Sequence, residues 1–294
     1  MENLDKWLLA GKIAGEVRDY AKSITKKGLL LRELADQVEQ KIRELGGEPA
    51  FPVNLSMDTC AAHYTPTKDD ETVLADQLLK IDVGVHVEGF IGDTATTVDL
   101  SGKYGKLIEA AEKALTDAIK AVKQDKSLGE IGTAIENAIT GYGYNPVRNL
   151  SGHGLQEFVI HGKPTIPNFD TGDTEILERP QAIAIEPFAT DGAGMIREKG
   201  EAMIFSQLGR GAVRTNISRQ ILKAIKPYNN LPFATRWLDF SKGQMTLGFR
   251  DLKMHKAVHA YPPLMEKGDG MVAQAEHTLI LTEDQVIVST DKNA

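Results

Sequence analysis

The sequence predicts an α+β protein in which helix pairs and strand groups are segregated along the chain. Three observations lead there. Apolar residues recur at helical spacing in two pairs of neighbouring segments, 4–24 with 29–45 and 104–122 with 128–139. Strand-like apolar runs gather between and after these pairs, not interleaved one for one with helices as a doubly wound sheet requires. The first two long runs, Leu78–Val87 and Ile91–Leu100, meet at Glu88-Gly89, a hairpin signal.

The elements follow in order. In the first helix the repeating positions are Leu4, Leu8, Ile13, Val17 and Ala21. The second, Leu29–Leu45, stops at Gly46-Gly47. Residues 50–56 read as a strand, and the hairpin comes next. Tyr104–Val122 gathers Leu107, Ala110, Ala111, Leu115, Ile119 and Val122 on one side, and Leu128–Ile139 is its partner helix. Farther on, Gln181–Phe188, Glu201–Leu208, Gly270–Leu281 and Gln285–Ser289 read as strands. Neither a short-period repeat nor a low-complexity linker interrupts the chain. One domain over 1–294 is expected, with halves at about 1–140 and 141–294.

Composition narrows the function classes. Of 294 residues 41% are hydrophobic and 26% charged, which excludes a disordered chain. Lys+Arg 34 against Asp+Glu 41 gives −7, which argues against a dominant nucleic-acid or anionic-membrane role. The single cysteine, Cys60, can form neither an internal disulfide nor a Cys-rich zinc site. The start, MENLDKWLLAGKIAG, lacks a secretory apolar core, and no stretch approaches membrane-spanning length. A cytoplasmic location is expected.

One segment departs from this acidic background. From Arg210 to Val258 there are ten Lys/Arg against Asp239 and Asp251, a net +8, while the remainder carries −15. A basic, mostly helical insertion at about 204–258 is expected. Two readings stand for it: a solvated helical face, or a surface that meets ribosomal RNA. His255 and His259 within it stand at i and i+4, but Lys256 occupies the position where the helical zinc-protease motif needs Glu, so a structural role is expected. Gly192-Ala193-Gly194 has Arg197 where a dinucleotide fingerprint needs its third glycine.

Four features carry chemistry. Asp82 and Asp93 sit inside apolar strand-like runs, where an unpaired charge is costly. If Glu88-Gly89 is the hairpin loop, Val87 pairs with Phe90 and Asp82 with Ala95, which puts Asp93 on the face of Asp82. Diagonal neighbours of that kind lie roughly 7–8 Å apart, close enough to share metal ions. A loop one residue longer would separate them onto opposite faces. Ser151-Gly152-His153-Gly154 places a histidine between glycines that allow close backbone approach. Glu186 ends the apolar run from Ala182 to Ile185, and Glu276 interrupts the strand-like run near the C-terminus. Singly, each has a bland reading: a salt bridge, a structural histidine, an edge residue facing water. Together, four carboxylates supply −4, which two divalent ions neutralise, and one imidazole adds a nitrogen. An oxygen-rich set without thiolate suits Mn, Fe, Co or Zn in a paired catalytic site.

The order Asp82, Asp93, His153, Glu186, Glu276 resembles the dinuclear metallopeptidases of the pita-bread fold, which include methionine aminopeptidases, prolidases, aminopeptidases P and creatinases. Phe51-Pro52, Cys60-Ala61-Ala62-His63-Tyr64-Thr65-Pro66, and Gly152-His153-Gly154 followed by Ile160-His161-Gly162-Lys163-Pro164 resemble type II methionine aminopeptidases in their short archaeal form. The 90-residue separation of Glu186 and Glu276 leaves room for the helical insertion that marks type II.

The resemblance implies two pseudo-symmetric halves of antiparallel sheet covered by helices. It implies that Asp82, Asp93, His153, Glu186 and Glu276 hold two divalent metal ions (Co, Mn, Fe or Zn), with Asp93 and Glu276 bridging. It gives Glu186, His161 and His63 catalytic roles, His63 and His161 also contacting substrate. It maps a methionine pocket onto Phe51, Leu150, Ile160, Phe188, Tyr261 and Leu264. The expected partner is the N-terminal peptide of a nascent protein, and the expected state a monomer. Two other readings stay open: an X-Pro aminopeptidase or prolidase-like enzyme on the same fold, and a non-enzymatic binding protein that uses the basic insertion.

Overall fold

The computed structural model describes residues 1–209 and 213–291; Arg210, the first of the ten basic residues, lies outside the described residues. Six α-helices are described: α1 Leu4–Ile24, α2 Leu31–Glu44, α3 Gly105–Lys123, α4 Leu128–Gly141, α5 Asn216–Ile225 and α6 Lys242–Met254. Serine starts α4 and α6: Ser127 and Ser241 accept from the third helical N–H, while Glu130 and Gln244 reach back. All strand pairs are antiparallel among the described residues.

Two packing units result. The hairpin strands Leu78–Val87 and Phe90–Asp99, with Asn54–Met57 and Glu48–Pro49, form one sheet. α1 and α2 cover it through Val17, Leu34 and Val38, which pack with Leu79, Ile81 and Val83. The second sheet runs, in spatial order, Val286–Val288, His277–Leu281, Gln181–Ile185, Ser151–Gln156, Val159–Pro167. α3 and α4 cover that one, burying Leu107, Ala111, Ile131 and Ile135 with Ile183, Ile185 and Leu279. The expected boundary near residue 140 therefore moves: α3 and α4 pack with the C-terminal sheet, so the units divide near residue 100. Sequence position alone could not show which sheet the second helix pair covers.

Three other expectations change. The strand over 50–56 starts only at Asn54, because Phe51-Pro52 turns the chain. The run 181–188 breaks after Ile185, and 270–281 breaks between Gln274 and His277. Pro187 has no N–H to continue a ladder. At each break the chain passes between the five-stranded sheet and a separate three-stranded one, in which Phe188–Thr190 pairs Val272–Gln274. The insertion is less helical than expected: Ile204–Gln207, Phe233–Ala234 and Val258–Tyr261 make a small antiparallel sheet. α5 and α6 pack on it around Phe205, Ile221, Phe233, Phe249 and Leu252.

Candidate active site

The hairpin forms in the expected register: Val87 pairs Phe90, Asp82 pairs Ala95, and Asp93 pairs Gly84. Asp82 and Asp93 therefore share one face. Threonines tie this strand to the break near the C-terminus. Asp93 N–H donates to Thr278 Oγ1 (2.7 Å), whose hydroxyl donates back to Asp93 O (2.8 Å). Thr94 Oγ1 donates to Glu276 O at 2.7 Å, and Thr97 Oγ1 to Gln274 O at 2.7 Å. These bonds carry Glu276 from the second sheet to the acids of the first.

The hairpin Ser151–Gln156 with Val159–Pro167 supplies His153. Its ladder is irregular after His153, and at Gly154 the strands approach so closely that a methyl group would overlap the Lys163 carbonyl. His153 Nε2 lies 3.7 Å from Asp93 Oδ2 and 3.6 Å from Glu186 Oε1. Glu186 stands at the break after Ile185. Asn168 Nδ2 donates to the carbonyls of Glu186 (3.2 Å) and Leu150 (3.1 Å) and so fixes the backbone there.

All thirteen residues that the sequence reading singles out line one cavity of ≈ 320 Å³. Asp82, Asp93, His153, Glu186 and Glu276 form its acidic part. His63, His161 and Tyr261 form an aromatic wall, with ring centroids 5.5 Å apart for His63–Tyr261 and 4.8 Å for His153–His161. Phe51, Leu150, Ile160, Phe188 and Leu264 complete an apolar pocket. His63 holds φ +65°, a left-handed conformation unusual for a side-chain-bearing residue, which directs its ring into the cavity.

Electrostatics divide the cavity. Burial pushes the Asp82 carboxyl up to about 7. Burial, and repulsion from the neighbouring acids, hold Asp93, Glu186 and Glu276 well above the carboxylate range. Burial lowers His153 to about 3 and His63 to about 4, with neighbouring His161 adding to both shifts. His161, exposed toward the cavity, is lowered as well, by burial of its ring and by neighbouring His259. The imidazoles are therefore neutral at pH 7.

The donor set fits divalent cations. Asp82 Oδ1, Asp93 Oδ1 and Glu276 Oε2 are buried without a hydrogen-bond partner. No Lys or Arg lines the cavity among the described residues. Asp93, His153 and Glu276 offer ligand atoms within 4.8 Å of one another. Clustered buried carboxylates without a cation are costly, and bound cations remove that cost.

Several residues escaped the sequence reading. Gln274 Nε2 donates to Glu186 Oε2 at 3.4 Å, and Gln274 also bonds Asp82. Strand alternation from Glu276 could have flagged it. Asn54 lies beside Asp82 in the ladder and lines the cavity, but only the register reveals this. Ile204 and Pro232 reach the cavity from the insertion. His259, expected to be structural, lies 4.6 Å from the Tyr261 ring and lowers both His63 and His161. It stands on a strand, so the i, i+4 helical pairing with His255 does not exist.

Comparison with known proteins agrees with this geometry. Residues 6–229 match the model of metallopeptidase family M24. The methionine aminopeptidase of Pyrococcus horikoshii is 45% identical over 294 residues, covering 98% of this chain and 100% of that one. Among solved structures, a thermophilic Arx1 superposes with TM-score 0.84 at 15% identity, covering 97% of this chain and 90% of that one. The methionine aminopeptidase of Rickettsia prowazekii superposes with TM-score 0.71 at 22% identity, covering 98% and 96%. The fold is thus the pita-bread fold that the sequence resemblance implied. With a buried, oxygen-rich donor set at its centre, and a family match over most of its length, this chain belongs to metallopeptidase family M24.

Proposed function

We propose that this chain is a cytoplasmic, monomeric aminopeptidase that uses two divalent ions to remove the N-terminal methionine of nascent proteins when the next residue is small. One observation supports the reading above others: five donor side chains from far apart in the sequence line the same cavity as the apolar residues Phe51, Leu150, Ile160, Phe188 and Leu264. Asp82, Asp93, His153, Glu186 and Glu276 would hold the ions. The charge balance admits two, and Co, Mn, Fe and Zn all accept these donors. Ions bound there supply Lewis acidity toward a peptide carbonyl and make hydroxide available near neutral pH.

The chain's own groups do the rest. Glu186, set at the cavity wall with its carboxylate accepting from Gln274, would take a proton from water and pass it to the leaving amine. His161, neutral at pH 7, donates an N–H to the oxygen that gains charge, and His63 faces the leaving nitrogen. Phe51, Leu150, Ile160, Phe188, Tyr261 and Leu264 accept a thioether chain and exclude charge. Discrimination against a shorter apolar chain is modest, about 1–3 kcal/mol per methylene.

The test is release of methionine from a Met-Ala-Ser peptide against cleavage of an X-Pro peptide, before and after chelation. Methionine release that chelation abolishes is expected. Preferential X-Pro cleavage overturns the substrate assignment, and chelation-insensitive turnover overturns the metal assignment.

The insertion points Arg214, Arg219, Lys223, Lys226, Lys242, Arg250, Lys253 and Lys256 to solvent. This face is proposed to meet ribosomal RNA during nascent-chain trimming. Ribosome co-sedimentation should weaken with salt and with charge reversal at Arg214, Arg219 and Lys223; insensitivity to both rejects it. Among the described residues no helix is long and apolar enough to cross a membrane.

A further inference from the structure

Outside the cavity lining lies a buried ion pair that the proposed reaction does not use. Glu39 of α2 and Arg236 of the insertion have side chains only 4% and 3% exposed and bond each other through Glu39 Oε1. Apart from Arg236 Nε, which is buried without a partner, the polar atoms of the pair reach three separate segments. Glu39 Oε1 accepts the Val53 N–H at 3.2 Å. Glu39 Oε2 accepts the Trp237 indole N–H at 2.7 Å. Arg236 Nη1 donates to Thr65 Oγ1 and, at 3.4 Å, to Pro66 O. Thr65 Oγ1 in turn donates to Val53 O at 2.8 Å.

Each segment carries cavity residues. Val53 lies between Phe51 and Asn54. Thr65 lies two residues past His63. Arg236 follows Phe233–Ala234, whose ladder holds Ile204, and Ile204 pairs Tyr261. Phe51 is outside any ladder, and the loop after Ala62 is too. Sheet hydrogen bonds alone therefore do not set their distance from the insertion. Stability does not require such a pair either, since well-packed apolar residues commonly replace buried ion pairs at no loss.

We propose that Glu39 and Arg236 are positioning residues for substrate binding: together they set the spacing between the Phe51 loop, the His63 loop and the Tyr261 strand, and hence the affinity for the substrate's first side chain. This rests on the aminopeptidase reading. The ion pair acts through those three walls and touches no reacting atom. The acids and His161 stand on or beside other strands, so removing the pair leaves the metal-holding donors in place and touches the chemical step only through the His63 loop, less than it touches binding.

The test uses the full-length, metal-loaded protein. Arg236→Met alone leaves a carboxylate buried and unpaired, so the main variant is the double Glu39→Leu, Arg236→Met, which removes both charges and retains bulk. Amide exchange in residues 51–54, 63–66 and 231–238 should speed up at least about tenfold, with α3 and α4 unaltered. KM for Met-Ala-Ser should rise about tenfold, kcat should fall by no more than about threefold through the displaced His63 loop, and metal content should hold steady. Arg236→Lys keeps the charge but loses the fork that spans Glu39 and Thr65, so its KM should fall between. A folded double variant with unchanged KM, or with kcat lost and KM retained, overturns the proposal, as does unchanged exchange in the three segments. If the double variant does not fold, Glu39→Gln serves instead, with an expected KM rise of about threefold, and an unchanged KM there overturns the proposal equally. Failure of the unaltered protein to release methionine rejects the aminopeptidase reading alone; the exchange result then decides whether the pair sets the spacing.

Discussion

The acidic and aromatic parts of one cavity are built by different means. Asp82, Asp93, His153, Glu186 and Glu276 stand on or beside long paired strands, fixed by ladder register and by threonines that join the two sheets. His63, Phe51 and Tyr261 come from loops and from the insertion, fixed by side-chain contacts. The difference separates two tasks. Chemistry needs donor atoms held within tenths of an ångström, which sheets provide. Substrate contact needs walls that can be reshaped without disturbing the metal-holding donors, which loops provide.

Substitutions can break or sharpen this division. The largest effect is expected in the acidic part: Glu276→Ala should lower kcat for Met-Ala-Ser at least about a thousandfold, about 4 kcal/mol of transition-state stabilisation. Substantial residual turnover would remove Glu276 from the metal-holding set. On the aromatic wall, His161→Ala should cost about a hundredfold in kcat with metal content unchanged, as loss of one oxyanion donor does. Metal loss in that variant, measured by elemental analysis, would erase the boundary between the two parts. In the pocket, Gly84→Ala places a methyl group against the Phe51 ring, so KM should rise about tenfold with kcat retained. Equal losses in kcat would show that the Phe51 wall is not separable from the chemistry.

The smallest effect is on stability. Asp82, Asp93, Glu186 and Glu276 have carboxyls raised by folding, which favours the native state at low pH and disfavours it as pH rises through their folded values, about 7 for Asp82. His63 and His153, lowered by folding, act in the opposite sense, but only below about 6.5, where the unfolded imidazoles take up protons. Between pH 6.5 and 8 the acids are opposed by Lys80, whose ammonium is lowered to about 7 by burial, but four raised carboxyls outweigh one lowered lysine. The Tm of chelated protein should therefore fall by a few degrees across that interval, and metal-loaded protein should change less. A rising Tm in the chelated sample would contradict the electrostatics of the acidic part.

These two parts differed equally in how far the sequence exposed them. Asp82 and Asp93 were legible because a charge inside an apolar strand is anomalous and a two-residue turn fixes register. Glu186 and Glu276 were visible for the same reason, but their surroundings were misread as unbroken strands. Hydrophobicity continues through both breaks, and only tertiary pairing shows that the chain changes sheets there. The hairpin carrying His153 was not recognised as a hairpin at all, since glycines at 152, 154 and 162 dilute the alternation that marks strands. The aromatic wall and the Glu39–Arg236 pair join residues as far as 198 positions apart, a separation at which local patterning carries no information.

The interruptions at Glu186-Pro187 and Ala275-Glu276 also bear on how this backbone could be redesigned. A regularised version, with Pro187 replaced by a β-branched residue and the ladder continued from Ile185 into Phe188, would look better by every local criterion of strand quality. Alternation would then assign Glu186 to the face opposite Ile185, and the opening between the sheets would close over the donors. The gap is a socket, and repairing it would be expected to give a sturdier molecule with nowhere to seat its ions.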